Sequence, residues 1–348
     1  MTLSYVTADI PGLGGAIKSG PGHFVVEELP LYEPSGQGAH VYVRLSRAGW
    51  NTRDLVKRLA SIFGLKDVDV GCAGLKDKDA VAIQTFSLSL PAADEDAVAR
   101  RIETELPVRV LWARRHGNKL KTGHLLGNRF SVVLAGVEPG ALVRAEEIAS
   151  ILRSRGLANY YGPQRFGLEG DNARRGREVL QGRGPRQSWL RRFLLSAFQA
   201  SMFNAYLAER LERGWFERLL TGDVAKKTDT GGLFDVADAE VERPRFESGA
   251  ITYTGPIYGA KMRRASGAPG ELEQQVLSRF EVTVEALKRA GLDGSRRPAR
   301  IILQCLTIKP HDQGLIFEFS LPKGAYATTL LREFMKNDQG LAAVGEED

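Results

Sequence analysis

The stretch Gly156-Leu-Ala-Asn-Tyr-Tyr-Gly-Pro-Gln-Arg-Phe-Gly167 lies where the secondary-structure pattern of the chain changes. Before it, alternating apolar and polar residues predict strands, and periodic apolar residues predict the helices between them. From about residue 157 to 300 the pattern is mostly helical and rich in arginine, and strand patterns return after residue 300. An α+β domain built from both ends of the chain around an inserted domain explains this order most simply.

Individual elements follow from the same patterns. Strands are predicted over residues 23–28, 41–46, 82–90, 108–112, 130–134, 300–308 and 315–319. Helices are predicted over residues 93–105, 146–155, 187–213, 271–290 and 326–336. A further helix is predicted between residues 51 and 64, because Asn51 or Thr52 can cap its start and Gly64 stands where a C-terminal glycine belongs.

Composition describes an ordinary globular chain of 348 residues, with 43% hydrophobic and 26% charged residues. Its two cysteines, Cys72 and Cys305, are too few for a disulfide framework or a cysteine-based zinc motif, which fits a reducing compartment. No apolar run approaches the roughly 20 residues of a membrane-spanning helix, and the first residues lack the features of a signal peptide. The sequence therefore predicts a cytoplasmic protein with no membrane partner.

Positive charge is clustered rather than evenly spread. Lysine and arginine total 48 against 42 acidic residues, a net charge of +6. Arginine dominates most clusters, and its planar guanidinium suits phosphate contacts. Several clusters in one chain favour a nucleic-acid partner, although each taken alone is also typical of a solvated surface. The clusters contain Arg114, Arg115, Lys119 and Lys121; Arg174, Arg175, Arg177, Arg183, Arg186, Arg191 and Arg192; and Lys261, Arg263, Arg264, Arg296, Arg297 and Arg300.

Several common catalytic motifs are missing from the sequence. There is no GxxxxGK[ST] phosphate loop, no complete GxGxxG, no HExxH and no GxSxG. The H-x-E…P-C-x-x-C signature of zinc deaminases is also absent. We therefore expect neither a metal nor an organic cofactor.

The segment Gly74-Leu-Lys-Asp-Lys-Asp-Ala80 is the strongest candidate for a catalytic loop. It precedes the strand predicted from residue 82, and it places Asp77 between two lysines. Neighbouring positive charge favours the ionised form of a carboxyl group, which is the form that acts as a base or nucleophile. A charged surface turn is the alternative interpretation.

Residues 74–80, with Gln84 following, resemble the catalytic motif G-x-K-D-x-x-A…Q of the TruD family of tRNA pseudouridine synthases. Other stretches resemble motifs of the same family in the same order. They are Phe24-Val-Val-Glu27 (F-x-V-x-E), Ser35-Gly-Gln-Gly-Ala-His40 (S-G-x-G-x-H), and residues 119–130, 159–167, 196–204, 254–259 and 321–333. Together these matches cover about residues 18 to 335, so the resemblance is not limited to one loop.

The resemblance implies a fold and a reaction. The expected fold has a pseudouridine synthase-type catalytic domain, formed by residues 1–155 and 302–348, with a mixed, largely antiparallel sheet flanked by helices. Residues 156–301 would form the inserted, mostly helical α/β TRUD domain. The expected reaction isomerises a tRNA uridine, typically uridine 13 in the D arm, to pseudouridine without a cofactor.

The resemblance also implies roles for site residues. Asp77 matches the catalytic aspartate, which either attacks C1′ of the ribose or removes the C2′ proton. The target base has to leave the RNA stack and enter an aromatic pocket. Phe130 and Tyr326 match residues that sandwich this base, and Asn128 matches one that hydrogen-bonds it. From the sequence pattern alone, core packing is the favoured explanation of Phe130, and a turn and helix packing are the alternatives for Asn128 and Tyr326.

The remaining expectations concern the substrate pocket and the RNA backbone. Phe24 and Glu27 are expected at the substrate pocket with Lys76, and Glu27 is expected to order Lys76 or a neighbouring backbone group. Contacts to RNA backbone are expected from Lys18, His40, Lys119, Lys121, Arg174, Arg175, Arg191 and Arg192.

The leading hypothesis is a monomeric enzyme whose partner is tRNA. A non-catalytic tRNA-binding or chaperone protein is the main alternative. An unrelated helical enzyme that binds nucleic acid, with a chance GLKD turn, is a more distant one. The motif around Asp77 favours the enzyme, because binding a polyanion needs no carboxylate.

Overall fold

The structure, a computed structural model, describes residues 3–17, 22–76, 78–167 and 169–337. Asp77 and Lys18 lie outside the described residues. The strands are β1 (Gly14–Ile17), β2 (Phe24–Pro30), β3 (His40–Arg47), β4 (Val70–Cys72), β5 (Val81–Ser89), β6 (Arg109–His116), β7 (Leu125–Val137), β8 (Leu157–Ala158), β9 (Val224–Lys227), β10 (Leu233–Asp235), β11 (Ile251–Ile257), β12 (Ser295–Pro298), β13 (Arg300–Ile301), β14 (Leu306–His311) and β15 (Gly314–Pro322). The helices are α1 (Thr52–Phe63), α2 (Glu95–Glu105), α3 (Ala141–Arg155), α4 (Asn172–Leu180), α5 (Ser188–Glu212), α6 (Ala239–Glu247), α7 (Gly267–Arg279), α8 (Val284–Arg289) and α9 (Ala327–Met335).

The chain folds into two compact units, each built from separate segments. The unit that we call the sheet unit contains Gly12–Glu146, Gln304–Thr328 and Phe334–Asp348. The unit that we call the helical unit contains Met1–Pro11, Glu147–Leu303 and Thr329–Glu333.

A mixed sheet forms the centre of the sheet unit, with strand order β14-β15-β7-β2-β5-β3-β6, β1 pairing with β7 and β4 with β5. Strands β2 and β5 are parallel, and the other described pairs in this sheet are antiparallel. Apolar side chains of α1 and α2 pack in one buried cluster with β3 and β5, including Leu55, Leu59, Val98, Ile102, Val43 and Phe86. The predicted α+β class, with a mixed and largely antiparallel sheet flanked by helices, is confirmed.

Both ends of α1 follow the sequence prediction. The side chain of Asn51 accepts a hydrogen bond from the Asp54 N–H at 2.8 Å, which caps the start of the helix. Gly64 ends the helix with a φ of 65°, a left-handed conformation that glycine adopts without steric penalty. This helix directly follows β3 and brings Thr52 to the base of the loop that contains Asp77.

The strand register places the polar residues of the sheet unit. Paired residues on neighbouring strands lie on the same face of a sheet. Glu28 of β2 pairs with Asn128 of β7, and Val26 pairs with Phe130. Glu28, Asn128 and Phe130 therefore share one face, whereas Glu27 lies on the opposite face.

The helical unit is organised around α5. Residues of α5 and α7 share a buried cluster that includes Phe198, Met202, Tyr206, Leu272 and Val276. A sheet with strand order β10-β9-β11-β12 accompanies these helices, and the sequence analysis predicted none of its strands. Within the described residues, no helix combines the length and the apolar character needed to cross a membrane.

The single helix predicted over residues 271–290 is wrong. The structure has α7 and α8 in its place, separated by residues 280–283. Glu281 adopts a positive φ of 55°, which interrupts the helical backbone. Thr283 then caps α8 by accepting a hydrogen bond from the Ala286 N–H.

Candidate active site

Residues 73–76 and 78–80 form the described part of the connection between β4 and β5. We call the segment 73–80 the Asp77 loop. Its described backbone is held by three other parts of the sheet unit. The Gly123 N–H donates to the Ala73 carbonyl at 2.7 Å, and the Gly49 N–H donates to the Lys78 carbonyl at 3.0 Å. The Gln84 side-chain amide donates to the Gly74 carbonyl at 2.6 Å. The loop is therefore anchored near its start and beyond Asp77.

Lys76, directly before Asp77, is anchored at both of its backbone polar groups. Its N–H donates to the Thr52 hydroxyl at 2.8 Å, and its carbonyl accepts from the Arg47 guanidinium at 2.7 Å. The Thr52 hydroxyl also lies 3.2 Å from the Gln84 side-chain oxygen. Arg47, Thr52 and Gln84 are all buried. Buried, satisfied hydrogen bonds of this kind fix a loop more rigidly than solvent-exposed ones.

The side chain of Lys76 forms a buried ion pair with Glu28. The ammonium lies 3.3 Å from the carboxylate, and the two side chains are 6% and 2% exposed. Burial raises the pKa of Glu28 above its ordinary value, although the charge of Lys76 acts in the opposite direction. A shifted carboxyl group beside a candidate catalytic loop is typical of a functional site.

Glu28 is the partner of Lys76, so the expectation is wrong where it pairs Glu27 with Lys76; a contact of Glu27 with a neighbouring backbone group stays a prediction. Glu27 instead accepts hydrogen bonds from Arg44 at 2.9 Å and from Arg129 at 3.2 Å. Successive residues of a strand point to opposite faces, so only one of two adjacent glutamates can face the Asp77 loop. The last position of the pattern F-x-V-x-E, counted from Phe24, is residue 28, and this count is the signal that identifies the partner.

Asn128 is half-buried on the same sheet face as Glu28. Its side-chain oxygen is buried and makes no hydrogen bond within the described part of the chain. A buried acceptor without a partner is unfavourable by about 1–3 kcal/mol, so such atoms often mark a place where a ligand binds.

The aromatic residues predicted at the pocket lie in the protein interior. Phe130 is 3% exposed, with its ring centroid 6.1 Å from that of Phe24 and 5.2 Å from that of Phe319. Phe24 and Tyr326 are each 6% exposed. A base can stack on Phe130 only if one face of its ring becomes accessible.

The position of Tyr326 follows from the close approach of β7 and β15. A Cβ atom at Gly127 would lie 2.1 Å from the Leu321 carbonyl oxygen, so this contact requires glycine. The Lys323 N–H then donates to the Leu126 carbonyl at 3.0 Å. The segment that leads to Tyr326 is thus fixed to the end of β7 that contains Asn128.

His124, which belongs to a matched motif, lies in an aromatic cluster of the sheet unit with Tyr32 and His116. The Tyr32 hydroxyl is 2.8 Å from Nδ1 of His124, and the Tyr32 ring stacks on His116 with centroids 5.2 Å apart. Burial lowers the pKa of His40, with smaller effects of Lys119 and His116 in the same direction. These contacts give His124 a structural partner.

The lysines and arginines expected at RNA backbone divide between the two units. In the sheet unit, Lys119 donates to the Val68 carbonyl, and Lys121 is exposed. In the helical unit, the guanidinium groups of Arg174 and Arg175 face the carboxylate of Asp171, at 3.1 and 3.9 Å.

Arg191 and Arg192, the remaining residues expected at RNA backbone, lie in the first turns of α5. Arg191 donates to the Pro185 carbonyl at 3.5 Å, and Arg192 is exposed. The described part of the chain brings together no group of three or more His, Cys, Asp or Glu side chains able to hold a metal ion.

Sequence reasoning missed three residues of this site. The sequence analysis predicts Glu27 in place of Glu28, gives Thr52 only as a possible helix cap, and does not include Arg47. Arg47 follows the strand predicted over residues 41–46 and continues the alternation of Val43 and Leu45 on its apolar side. A charged residue at such a position signals a buried partner.

Comparison with known proteins identifies a similar family. The model of the family tRNA pseudouridine synthase D (TruD) matches residues 1–189 and 185–334. A tRNA pseudouridine synthase D from Anaeromyxobacter dehalogenans is 43% identical, over 97% of this chain and 98% of the relative. One from Thermus thermophilus is 42% identical, over 95% of this chain and 92% of the relative.

A solved structure is also similar. The crystal structure of a Methanosarcina mazei protein assigned to tRNA pseudouridine synthase D superposes with a TM-score of 0.79. The match covers 97% of each chain at 23% sequence identity. It shows that the two chains share a fold.

Proposed function

The chain belongs to the tRNA pseudouridine synthase D family, and from this we propose that it converts a uridine of tRNA to pseudouridine. In this isomerisation the N1–C1′ bond of the nucleotide breaks and a C5–C1′ bond forms. The C5 proton is released and N1 gains a proton, so no electron or group donor is required. We propose uridine 13 of the D arm as the target.

We propose Asp77 as the catalytic carboxylate, acting either as a nucleophile at C1′ or as the base that removes the C2′ proton. The observation that carries this proposal is the anchoring of both of its neighbours, Lys76 and Lys78. Holding a reacting group in one place removes much of the entropic barrier to reaction. The buried pair of Lys76 with Glu28 adds a second restraint directly beside Asp77.

The target base is proposed to leave the RNA stack and bind beside Asn128. The unpartnered side-chain oxygen of Asn128 is a suitable acceptor for the N3–H of uracil. Phe24, Phe130 and Tyr326 are proposed to surround the base. Since Phe130 is buried, stacking requires its ring to become accessible when the base enters.

The other parts of the proposal concern partners and organisation. We propose a cytoplasmic monomer that binds tRNA and needs neither metal nor cofactor. Residues 1–155 and 302–348 are proposed as the catalytic domain and residues 156–301 as the inserted TRUD domain. Backbone contacts are proposed for Lys18, His40, Lys119, Lys121, Arg174, Arg175, Arg191 and Arg192, with Glu27 near the substrate.

The direct test is tritium release from C5-tritiated uridine in tRNA that lacks pseudouridine. Asp77→Asn is expected to lower the rate by about 1,000-fold or more, because the amide is neither a base nor a nucleophile. Affinity for tRNA should change little. Asp79→Asn is the matched control, since it removes an exposed carboxylate from the same loop.

Two outcomes would contradict the proposal. Equal activity of Asp77→Asn and wild type would remove Asp77 from the chemistry. Wild-type protein that binds tRNA but releases no tritium from any tRNA pool would favour the non-catalytic tRNA-binding protein.

A further inference from the structure

Trp189, the second residue of α5, is an exposed aromatic side chain in the helical unit. It is 64% exposed, whereas Trp50, Trp112 and Trp215 are each partly buried. Tryptophan is highly buried on average, because its large apolar surface is unfavourable in water. Because tryptophan is enriched at binding interfaces, an indole this exposed is a candidate contact for a partner.

The sequence around Trp189 is strongly positive. Four arginines lie between residues 181 and 192, and no Asp or Glu occurs between Glu178 and Glu209. Arg186 and Arg192 make no hydrogen bond or ion pair within the described ranges, and both are exposed. Arg183 contacts only an uncharged group in the same part of the molecule, the Gln181 side chain at 2.5 Å. These guanidinium groups are therefore available to an anion.

The preceding helix differs in this respect. On α4, Arg174 lies 2.6 Å from the Glu178 carboxylate and 3.1 Å from that of Asp171. Arg177 pairs with Glu281. Carboxylates thus offset the charge of α4, and the uncompensated positive charge is concentrated around Trp189.

Arg192 and Arg186 lie close to Trp189 in the sequence, one within α5 and one just before it. Trp189 and Arg192 are three residues apart in α5, so their side chains emerge on the same side of the helix. Arg186 precedes Trp189 by three residues, in the turn that leads into the helix. An aromatic face between two cations is complementary to one nucleotide, which has a flat base and a phosphate on each side.

We propose that Trp189 stacks on an unpaired RNA base while Arg186 and Arg192 bind the adjacent phosphates. This nucleotide is distinct from the uridine that is isomerised. The assignment of the RNA as tRNA rests on the proposed function, whereas the preference for single-stranded RNA rests on Trp189 and its arginines alone. An acidic peptide would satisfy the arginines, but it offers no planar group to the indole.

The test uses tryptophan fluorescence and affinity for a single-stranded oligouridylate. Binding should quench the emission of wild type, and Trp189→Phe should lack this component. Trp189→Ala should raise Kd about tenfold, whereas Trp189→Phe, which keeps an aromatic face, should lose much less. With tRNA as substrate, the loss should be in KM rather than kcat. Val241→Ala, another exposed apolar residue on a helix of the same unit, is the control.

Arg186→Gln with Arg192→Gln tests the phosphate contacts. The slope of log K against log salt should fall by about 1.4, since each phosphate contact on a single strand contributes about 0.7. Arg243→Gln, which removes an exposed arginine paired with Glu240, should leave the slope unchanged.

Either of two results would overturn the inference. One is equal affinity of wild type and Trp189→Ala with no quenching of Trp189. The other is equal quenching by heparin, which would mean that the surface binds any polyanion. The oligouridylate titration does not depend on catalysis, so it decides on Trp189 even if the protein forms no pseudouridine.

Discussion

The helical unit and the sheet unit each bury an ion pair, and the two pairs are built differently. In the helical unit, Arg210 and Asp223 are both fully buried and joined by two hydrogen bonds of 2.7 Å. Arg210 also donates to the Tyr206 hydroxyl at 3.0 Å, and its guanidinium lies 3.7 Å from the ring centroid of Tyr253. Burial is the largest single effect and acts to lower the pKa of Arg210, but the charge and hydrogen bonds of Asp223 together with Tyr206 and Tyr253 exceed it and raise that pKa above its ordinary value.

The pair in the sheet unit has a single, longer contact. Glu28 and Lys76 are joined at 3.3 Å, and burial of Glu28 outweighs the effect of Lys76 on its pKa. A guanidinium has a planar donor pattern that matches a carboxylate, whereas an ammonium is a compact charge on a flexible chain. We infer that the first pair maintains the fold of its unit and that the second maintains the position of a loop.

Asp223→Asn should have the largest effect on stability, because it leaves the charge of Arg210 buried and uncompensated. We expect the free energy of unfolding to fall by about 3–5 kcal/mol, measured by urea denaturation. Glu240→Gln breaks an exposed pair of the same unit and should cause no measurable change. A small effect of Asp223→Asn would remove the distinction between the two pairs.

Thr52→Val should have the next largest effect, and we expect it on the rate in addition to a loss of stability of about 1–3 kcal/mol from the unpaired Lys76 N–H. The substitution keeps the shape of the side chain but removes the hydroxyl that binds the Lys76 N–H. Because small displacements of a catalytic group are costly, kcat for pseudouridine formation should fall about 10- to 100-fold with little change in KM.

Thr104→Val is the matched control for the loop. Thr104 is exposed on α2, and its hydroxyl bonds only to the Arg100 carbonyl of its own helix. The control should retain wild-type kcat. Unchanged kcat in Thr52→Val would show that the anchored backbone of Lys76 does not matter for the reaction.

Elements with a strong local signal could be predicted from the sequence. The sequence predicts helix α1 with its cap at Asn51 or Thr52 and its end at Gly64, because both ends depend on nearby residues. The short strands β9 to β12 were missed, since three to seven residues give too little alternation to be recognised between helical patterns. The break at Glu281 was missed because a positive φ in a non-glycine residue has no sequence signature.

The sequence could predict only those parts of the site whose residues lie together in one segment of the chain. The Asp77 loop was found from its own residues, but the groups that anchor it come from β3, α1 and β5. The count of the F-x-V-x-E pattern from Phe24 indicates Glu28 rather than Glu27, and the register of β2 shows why only Glu28 faces the Asp77 loop. The burial of Phe130 depends on Phe319, which is distant in sequence and becomes its neighbour only through the pairing of β7 with β15.

The smallest expected effect is a pH dependence that separates a buried pair from an exposed one. Because burial raises the pKa of Glu28 above 4.5 in the folded state, its contribution to stability is greatest below pH 4.5 and is lost as pH rises through the raised value. The reference is the double variant Glu28→Gln with Lys76→Met, in which neither side chain titrates. Relative to this variant, the free energy of unfolding of wild type should fall by up to about 1.4 kcal/mol per pH unit in that window. Urea denaturation at a series of pH values upward from 4.5 measures the difference. The exposed pair of Glu318 and Lys309 should show the opposite pH dependence of stability. The hydrogen bond from Lys309 lowers the pKa of Glu318, so the contribution of this pair to stability is lost only as pH falls below 4.5. A constant difference between wild type and the Glu28 variant would mean that the carboxyl group keeps an ordinary pKa despite its burial.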